Sequence, residues 1–386
     1  MKITYISDQF LPTSSADTEQ FVNMISALSK QSKIELISAN YKFRKATTLQ
    51  DLKDYYLIDG DFKLDFVHLL FPNIRGLEKI LIAIKSAFKI KDDDHKDEVV
   101  YTRNIPVIIS TLLFTNLPVL YETFRPWPQR NIQARWFFRK MANHPRFLGI
   151  VLHSEFAKKS FLENGFSEKQ LIVEHNAFRN EFFSDIEFNK SELRKTLKLP
   201  AEQILVTYTG RVNRQKGLDY MLELARLFPE VTFLIMGSEG QGYIEEKAKT
   251  ITNVVIKPWQ DKASTARYIL ASDILYIPTS LVAREKAMNT VLPIKTFLYK
   301  ASGKAILAPD IADIREVLTH KKTAFLVEPD NKEAAEVALR ELLNNARLRD
   351  ELGEAAKDEM EFLTWEKRAK RVLAFIEKRK LRVGKF

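Results

Sequence analysis

Short apolar runs alternate with longer amphipathic segments along most of this chain, which is the pattern of parallel strands joined by helices. The runs predict strands at 3–7, 34–37, 65–69, 99–101, 119–121, 149–151 and 171–174, with helices at 19–29, 77–88 and 154–164 between them. A polar, charge-rich passage over 179–198 breaks the rhythm. A second series then predicts strands at 204–208, 232–236, 254–256, 274–277, 305–307 and 324–327. Residues 332–343, 346–363 and 365–380 read as helix, the last opening after Thr364 as a candidate N-cap. The expected class is α/β. Two doubly wound, Rossmann-like domains, 1–185 and 186–364, are expected to face each other across a cleft, with a basic helix over 365–386 crossing back to the first. In such sheets ligands collect at the carboxyl ends of the strands.

Composition narrows the class. The 386 residues hold 12 Gly, 14 Pro and no Cys, so collagen-like, linker-rich and disulfide-stapled classes are excluded, as are thiolate metal sites and Cys nucleophiles. A chain without cysteine fits a reducing, cytoplasmic setting. The opening MKITYISDQFLP alternates instead of forming the apolar run of a secretory signal, and no stretch reaches 18 consecutive apolar residues. The expectation is a soluble protein or one lying peripherally on the cytoplasmic face of a membrane.

The net charge of +10 is concentrated. Residues 366–386 carry nine Lys/Arg against Glu366 and Glu377, and Arg125 to Arg146 hold six basic residues and no acid among Trp127, Trp136, Phe137 and Phe138. Two readings stand for these runs: solvated faces with arginines packed on aromatics, or attraction to an anionic surface. No nucleic-acid motif accompanies the charge.

The strongest local signal is ILVTYTGRVNRQKGLDYMLELARL at 204–227. An apolar strand ends at Gly210, a basic loop runs from Arg211 to Lys216, and Gly217 precedes an amphipathic helix. This order points backbone amides and a helix's positive end at an anion, with Arg211 and Lys216 adding two full charges. An exposed basic loop is the alternative. Lys295, two residues after Pro293, opens a helix that Gly303 closes. A lysine at that end is disfavoured by the helix dipole unless something anionic lies nearby. Trp259 either stacks on a base or packs in the core. Asp92, Asp93 and Asp94 read as a solvated acidic loop, not a metal cluster, and the six His residues show no ligand spacing. His153 and His175 fall at predicted strand ends.

The order of TYTGRVNRQKGLDYML, FLIMGSEG, NVVIKPW, ASDILYIPTS, LPIKTFLYKASGKAILAPD, IREVL and TW resembles the C-terminal half of family 4 glycosyltransferases, retaining enzymes with the GT-B fold. VVYTRNIP, LPVLYETF and LHSEFAKKSFLENGFSEKQLIVEHNAF agree in the first half. The resemblance implies metal-independent transfer of a sugar, with retention, from a nucleotide-diphosphate sugar to a glycan, lipid-linked or small-molecule acceptor. A UDP-sugar comes first, with GDP- and ADP-sugars as alternatives, and no cofactor besides this co-substrate. By position, Arg211 and Lys216 would stabilise the leaving diphosphate and Glu122 is the remaining acid or base. Gly210, Trp259, Thr290, Val291, Leu292 and Lys295 fall on the donor side. Asp17, Thr18, Arg103 and Arg125 fall on the acceptor side, although Asp17 and Thr18 equally suit a helix start.

Three departures accompany the resemblance. The usual pair of donor-binding glutamates is replaced by Thr290 and Leu298, and Leu298 cannot hydrogen-bond a ribose. The usual glycine pair after the first strand is replaced by Pro12 to Glu19. Phe124 stands where many relatives have His. These losses motivate an alternative expectation, a non-catalytic GT-B protein that binds a nucleotide or glycan and regulates a partner.

Overall fold

The computed structural model describes residues 1–41, 45–69, 76–91, 97–178, 181–184, 189–278, 280 and 292–383. The chain divides into two compact units, Met1–Asn176 with Trp365–Phe386, and Ala177–Thr364. The division falls after Asn176, and the terminal helix is grouped with the first unit.

In the first unit, strands β1 (Lys2–Phe10), β2 (Lys33–Tyr41), β3 (Lys63–Leu69), β4 (Glu98–Thr102), β5 (Val119–Thr123), β6 (Phe147–Leu152) and β7 (Leu171–Val173) form one sheet in the order β3-β2-β1-β4-β5-β6-β7. In the second, β8 (Leu205–Thr209), β9 (Thr232–Ser238), β10 (Val254–Pro258), β11 (Ile274–Tyr276), β12 (Ala305–Pro309) and β13 (Phe325–Val327) run in the order β10-β9-β8-β11-β12-β13. Each described pairing between these strands is parallel.

Parallel strands are covered by helices on both faces, so they read as continuous apolar runs without alternation. All residues of β4, β5, β6, β8, β9 and β12 are buried accordingly. Strand order reverses beside β1 in the first sheet and beside β8 in the second. These are the switch points where a doubly wound sheet opens a crevice at its carboxyl edge.

Several elements go beyond the predicted pattern. Helix Leu49–Tyr56 is set by a reciprocal capping box between Thr48 and Asp51. Helix Ile105–Phe114, with proline in its first turn, is more apolar than the other long helices described in the first unit. The helix expected over 346–363 stops at Asp358 and finishes as a 3-10 turn, Glu359–Phe362. The terminal helix, Trp365–Val383, is tied to the first sheet by Arg371 to Glu174 at 2.7 Å and by Lys380 to Asp97. Much of its excess charge therefore has a structural use.

Candidate functional site

The carboxyl edge of the second sheet is built around two glycines. Gly210 leaves β8 at φ +127° and donates its N–H to the Met236 carbonyl at 2.9 Å. Gly237 on β9 has φ +106°, and a Cβ there would lie 2.4 Å from the Gly210 oxygen. Only residues without side chains let the two strand ends approach so closely. The chain then makes a 3-10 turn over Arg214–Lys216, passes Gly217 at φ +68°, and enters helix Asp219–Leu227.

Lys295 is the first residue of helix Lys295–Ser302. Its Nζ sits 3.5 Å from the centroid of the Tyr208 ring, and a Cβ on Gly210 would come 3.0 Å from that nitrogen. The ring's negative face offsets the cost of a cation at a helix N-terminus. The Tyr208 hydroxyl donates to the Arg211 carbonyl at 2.9 Å, which fixes the start of the basic loop. The Tyr299 hydroxyl accepts from the Thr209 N–H at 2.8 Å and fixes the end of the strand.

The structure thus brings Gly210, Arg211 and Lys295 together at one strand end. Arg211 is 67% exposed, with Glu239 at 3.9 Å, and Lys216 is half-buried. The loop is therefore a basic one with its first cation turned to solvent. Trp259 follows β10 and is 60% exposed, so core packing does not account for it. Its backbone N–H donates to the Ser238 carbonyl at 3.3 Å, on the same sheet edge as Gly237. Leu292 is buried in the core, and Leu298 packs half-buried against the same apolar cluster. Thr290 and Val291 lie outside the described residues, as do Asp92, Asp93 and Asp94.

At the carboxyl edge of the first sheet the centre is Glu122, at 0% exposure. It accepts from Arg103 at 2.6 Å, from Arg368 of the terminal helix at 2.8 Å, from His153 at 2.7 Å, and from the Tyr101 hydroxyl. Burial alone would raise its pKa, but Arg103 and Arg368 overcome this and hold it well below the usual carboxylate range. Burial pushes His153 down to about 4, assisted by the same two arginines and opposed by Glu122. With two guanidinium groups already neutralising the carboxylate, His153 stays neutral and donates from Nε2. Among the described residues its Nδ1 has no hydrogen-bond partner.

The expected role of Glu122 as acid or base meets a carboxylate at 0% exposure with four hydrogen-bonding partners. The carboxylate is removed from solvent and held ionised by Arg103 and Arg368. Arg103 carries the arrangement outward, donating to Asp17 at 2.7 Å beside the start of helix Ala16–Ser29. Thr18 is fully buried, its hydroxyl without a hydrogen-bond partner among the described residues, and Ser15, not Asp17, occupies the N-cap position. Arg125 stacks between Phe124 and Trp127, at 5.1 and 5.4 Å from their centroids, which realises the aromatic-packing reading for that part of the basic run. The sequence reading missed Arg368. Its only signal was a charge in a terminal helix, indistinguishable there from its solvated neighbours. Among the described residues, no group of three or more His, Asp or Glu is arranged to hold a metal ion.

Residues 189–359 match the family model of glycosyl transferases group 1. That segment contains β8 to β13 and the Gly210, Arg211 and Lys295 grouping. The chain is 27% identical over 184 residues to a Klebsiella pneumoniae protein described as an uncharacterized 41.2 kDa protein in the cps region, covering 46% of this chain and 47% of that one. It is 23% identical over 310 residues to the sulfoquinovosyl transferase SQD2 of Arabidopsis thaliana, covering 79% and 54%. The chain spans about half the length of the curated relatives it matches. Among solved structures, that of Anabaena Alr3699/HepE in complex with UDP superposes with a TM-score of 0.74 at 15% identity, over 98% of this chain and 100% of that one. The fold is GT-B, as expected. No helix among the described residues is long and apolar enough to cross a membrane.

Proposed function

We infer that this protein is a glycosyltransferase that moves a sugar from a UDP-sugar to a carbohydrate or lipid-linked acceptor, with retention and without a metal ion. The observation that carries the reading is the grouping of Gly210, Arg211 and Lys295 at the carboxyl end of β8, inside the segment that matches the group 1 family model. Cleaving a sugar–phosphate bond develops negative charge on the diphosphate and oxocarbenium character on the sugar. Cations fixed at the leaving group are therefore where the barrier can be lowered. Lys295, held over Tyr208, and half-buried Lys216 are given that role, with Arg211, which faces solvent, joining them when the diphosphate is bound. Exposed Trp259, on the same sheet edge, offers a stacking face for the base.

The choice of UDP is supported by the Anabaena neighbour, which is solved with UDP and with UDP-glucose. Polysaccharide assembly as the setting is supported by the cps-region relative. On the acceptor side, Arg103, set by Glu122 and Asp17, is the cation placed to meet a hydroxyl-rich or phosphorylated acceptor. A cytoplasmic, membrane-peripheral location is part of the same reading.

Leu298 favours a second reading. An apolar side chain seated on the core offers no hydrogen bond to a ribose, which suits a protein that binds a nucleotide without transferring a sugar. Calorimetry with UDP-, GDP- and ADP-glucose, followed by assay of nucleotide release with and without acceptors, separates the two. Release of UDP that Arg211→Ala and Lys216→Ala each abolish, with unchanged melting, supports the transferase. Binding without release under any acceptor supports the second reading, and release retained by both variants refutes the roles given to the two cations.

A further inference from the structure

In the first unit, Pro12, Thr47, Asp51, Asp54 and Tyr55 line an open pocket of about 490 Å³, a size within the range of about 300–1,000 Å³ usual for small-molecule sites. The spacing 51, 54, 55 places three of these side chains on one face of helix Leu49–Tyr56, while Leu52 and Tyr56 are buried on another. Two hydroxyl groups fix the facing wall. That of Tyr56 accepts from the Thr13 N–H and donates to the Thr13 carbonyl, both at 2.8 Å, and that of Thr47 donates to the Leu11 carbonyl at 2.7 Å. The helix and the chain leaving β1 are thus held against each other before a ligand arrives, so little ordering remains to oppose binding.

The chemistry of the lining selects the ligand. Tyr55 is 46% exposed and meets Tyr56 edge-on, with centroids 4.8 Å apart, so an aromatic surface stands in the pocket instead of packing in the core. Asp51 accepts from the Thr48 N–H at 2.8 Å, and Asp54 accepts from the Gln50 amide at 2.7 Å. Each carboxylate has a second oxygen with which to accept from a ligand. Carboxylates accept strong hydrogen bonds from hydroxyl groups, and an aromatic ring covers the apolar C–H face of a sugar ring. A phosphorylated or uronic ligand would meet two negative charges, and a purely apolar one would strip water from both carboxylates without replacing its hydrogen bonds. Pro12 lies just beyond β1, beside the switch point of the first sheet, and the loop that contributes it runs on to Asp17, the partner of Arg103.

We propose that this pocket is an acceptor subsite that seats one pyranose ring bearing no negative charge, stacked on Tyr55 with its hydroxyl groups donating to Asp51 and Asp54. The assignment rests on the glycosyltransferase reading and narrows its acceptor to a glycan whose ring at this position is neutral or amino-substituted.

The test is saturation-transfer NMR on the full chain with methyl β-glucoside, glucosamine, glucuronate and tetramethylammonium as probes. Saturation is expected to reach the ring protons of the first two and not those of glucuronate. Tyr55→Ala and, separately, Asp54→Asn should each weaken the contact by about tenfold. The circular dichroism melt should stay unchanged, because both side chains lie on the exposed face of the helix; Asp51 is left in place because it caps that helix. The proposal is overturned if neither methyl β-glucoside nor glucosamine receives saturation, if glucuronate binds as well as they do, or if both substitutions leave the contact untouched. Binding of tetramethylammonium where the sugars fail also overturns it, in favour of an amine site. Calorimetry with UDP on the same protein keeps the two readings apart: UDP bound without sugar contact refutes the pocket alone, whereas sugar contact with no UDP bound or released refutes the transferase and leaves a glycan site.

Discussion

Arg368 and Glu122 are 246 residues apart in sequence, both wholly removed from solvent, and joined by a hydrogen bond of 2.8 Å. Arg368 also donates from Nε to the His175 carbonyl at 3.1 Å, so one guanidinium clamps the terminal helix to the carboxyl edge of the first sheet. Replacing it by methionine leaves Glu122 with a single guanidinium and His153. Removing one partner of a buried ion pair costs about 3–5 kcal/mol, and the remaining arginine should reduce that to about 3. Chemical denaturation of Arg368→Met should show this loss. In a double-mutant cycle with Glu122→Gln, the two changes together should cost less than their sum.

Stability should fall as the solution is acidified, in two windows. His153 has a pKa of about 4 in the fold and near 6.5 unfolded, so the unfolded chain takes up the proton first. Its contribution is complete above about pH 6.5, declines as pH falls toward 4, and reaches about 3 kcal/mol of loss. Glu122 is held well below its ordinary value, so its contribution is present above the ordinary carboxylate range and is lost only as pH falls below it. His153→Gln should flatten the first window and leave the second. Urea unfolding at intervals from pH 7 down to about pH 2 measures both.

Gly237→Ala should disturb the second unit more than its size suggests. The new methyl group meets the Gly210 carbonyl at 2.4 Å, a backbone atom that cannot rotate away, at a φ that side chains rarely adopt. A loss of about 2–4 kcal/mol in stability is expected, together with weaker binding of UDP, because the start of the basic loop must move. Thermal melting and calorimetry read the two effects separately.

Lys295→Met should leave the fold intact, since its aliphatic stem can still cover Tyr208, and should weaken UDP binding by about tenfold or more through loss of one cation at the phosphate position. Lys295→Arg should restore part of the affinity. Unchanged affinity in Lys295→Met would remove this residue from the donor site.

The α/β class and nearly every strand were legible in the sequence, because parallel strands covered on both faces leave continuous apolar runs whatever the surroundings. Legible too was the strand, glycine and basic-loop order at 204–217, since a tight turn needs Gly and an anion site needs cations within a few residues. The placing of Lys295 Nζ, in contrast, depends on an aromatic ring 87 positions earlier in the chain. The ionised, buried state of Glu122 depends on arginines arriving from β4's end and from the terminal helix. Local sequence specifies propensity and hydrophobic period, which act over a turn or a strand. Whether a given charge ends up solvated, buried as a brace or aimed at a ligand is settled by which distant groups folding places within about 3 Å of it.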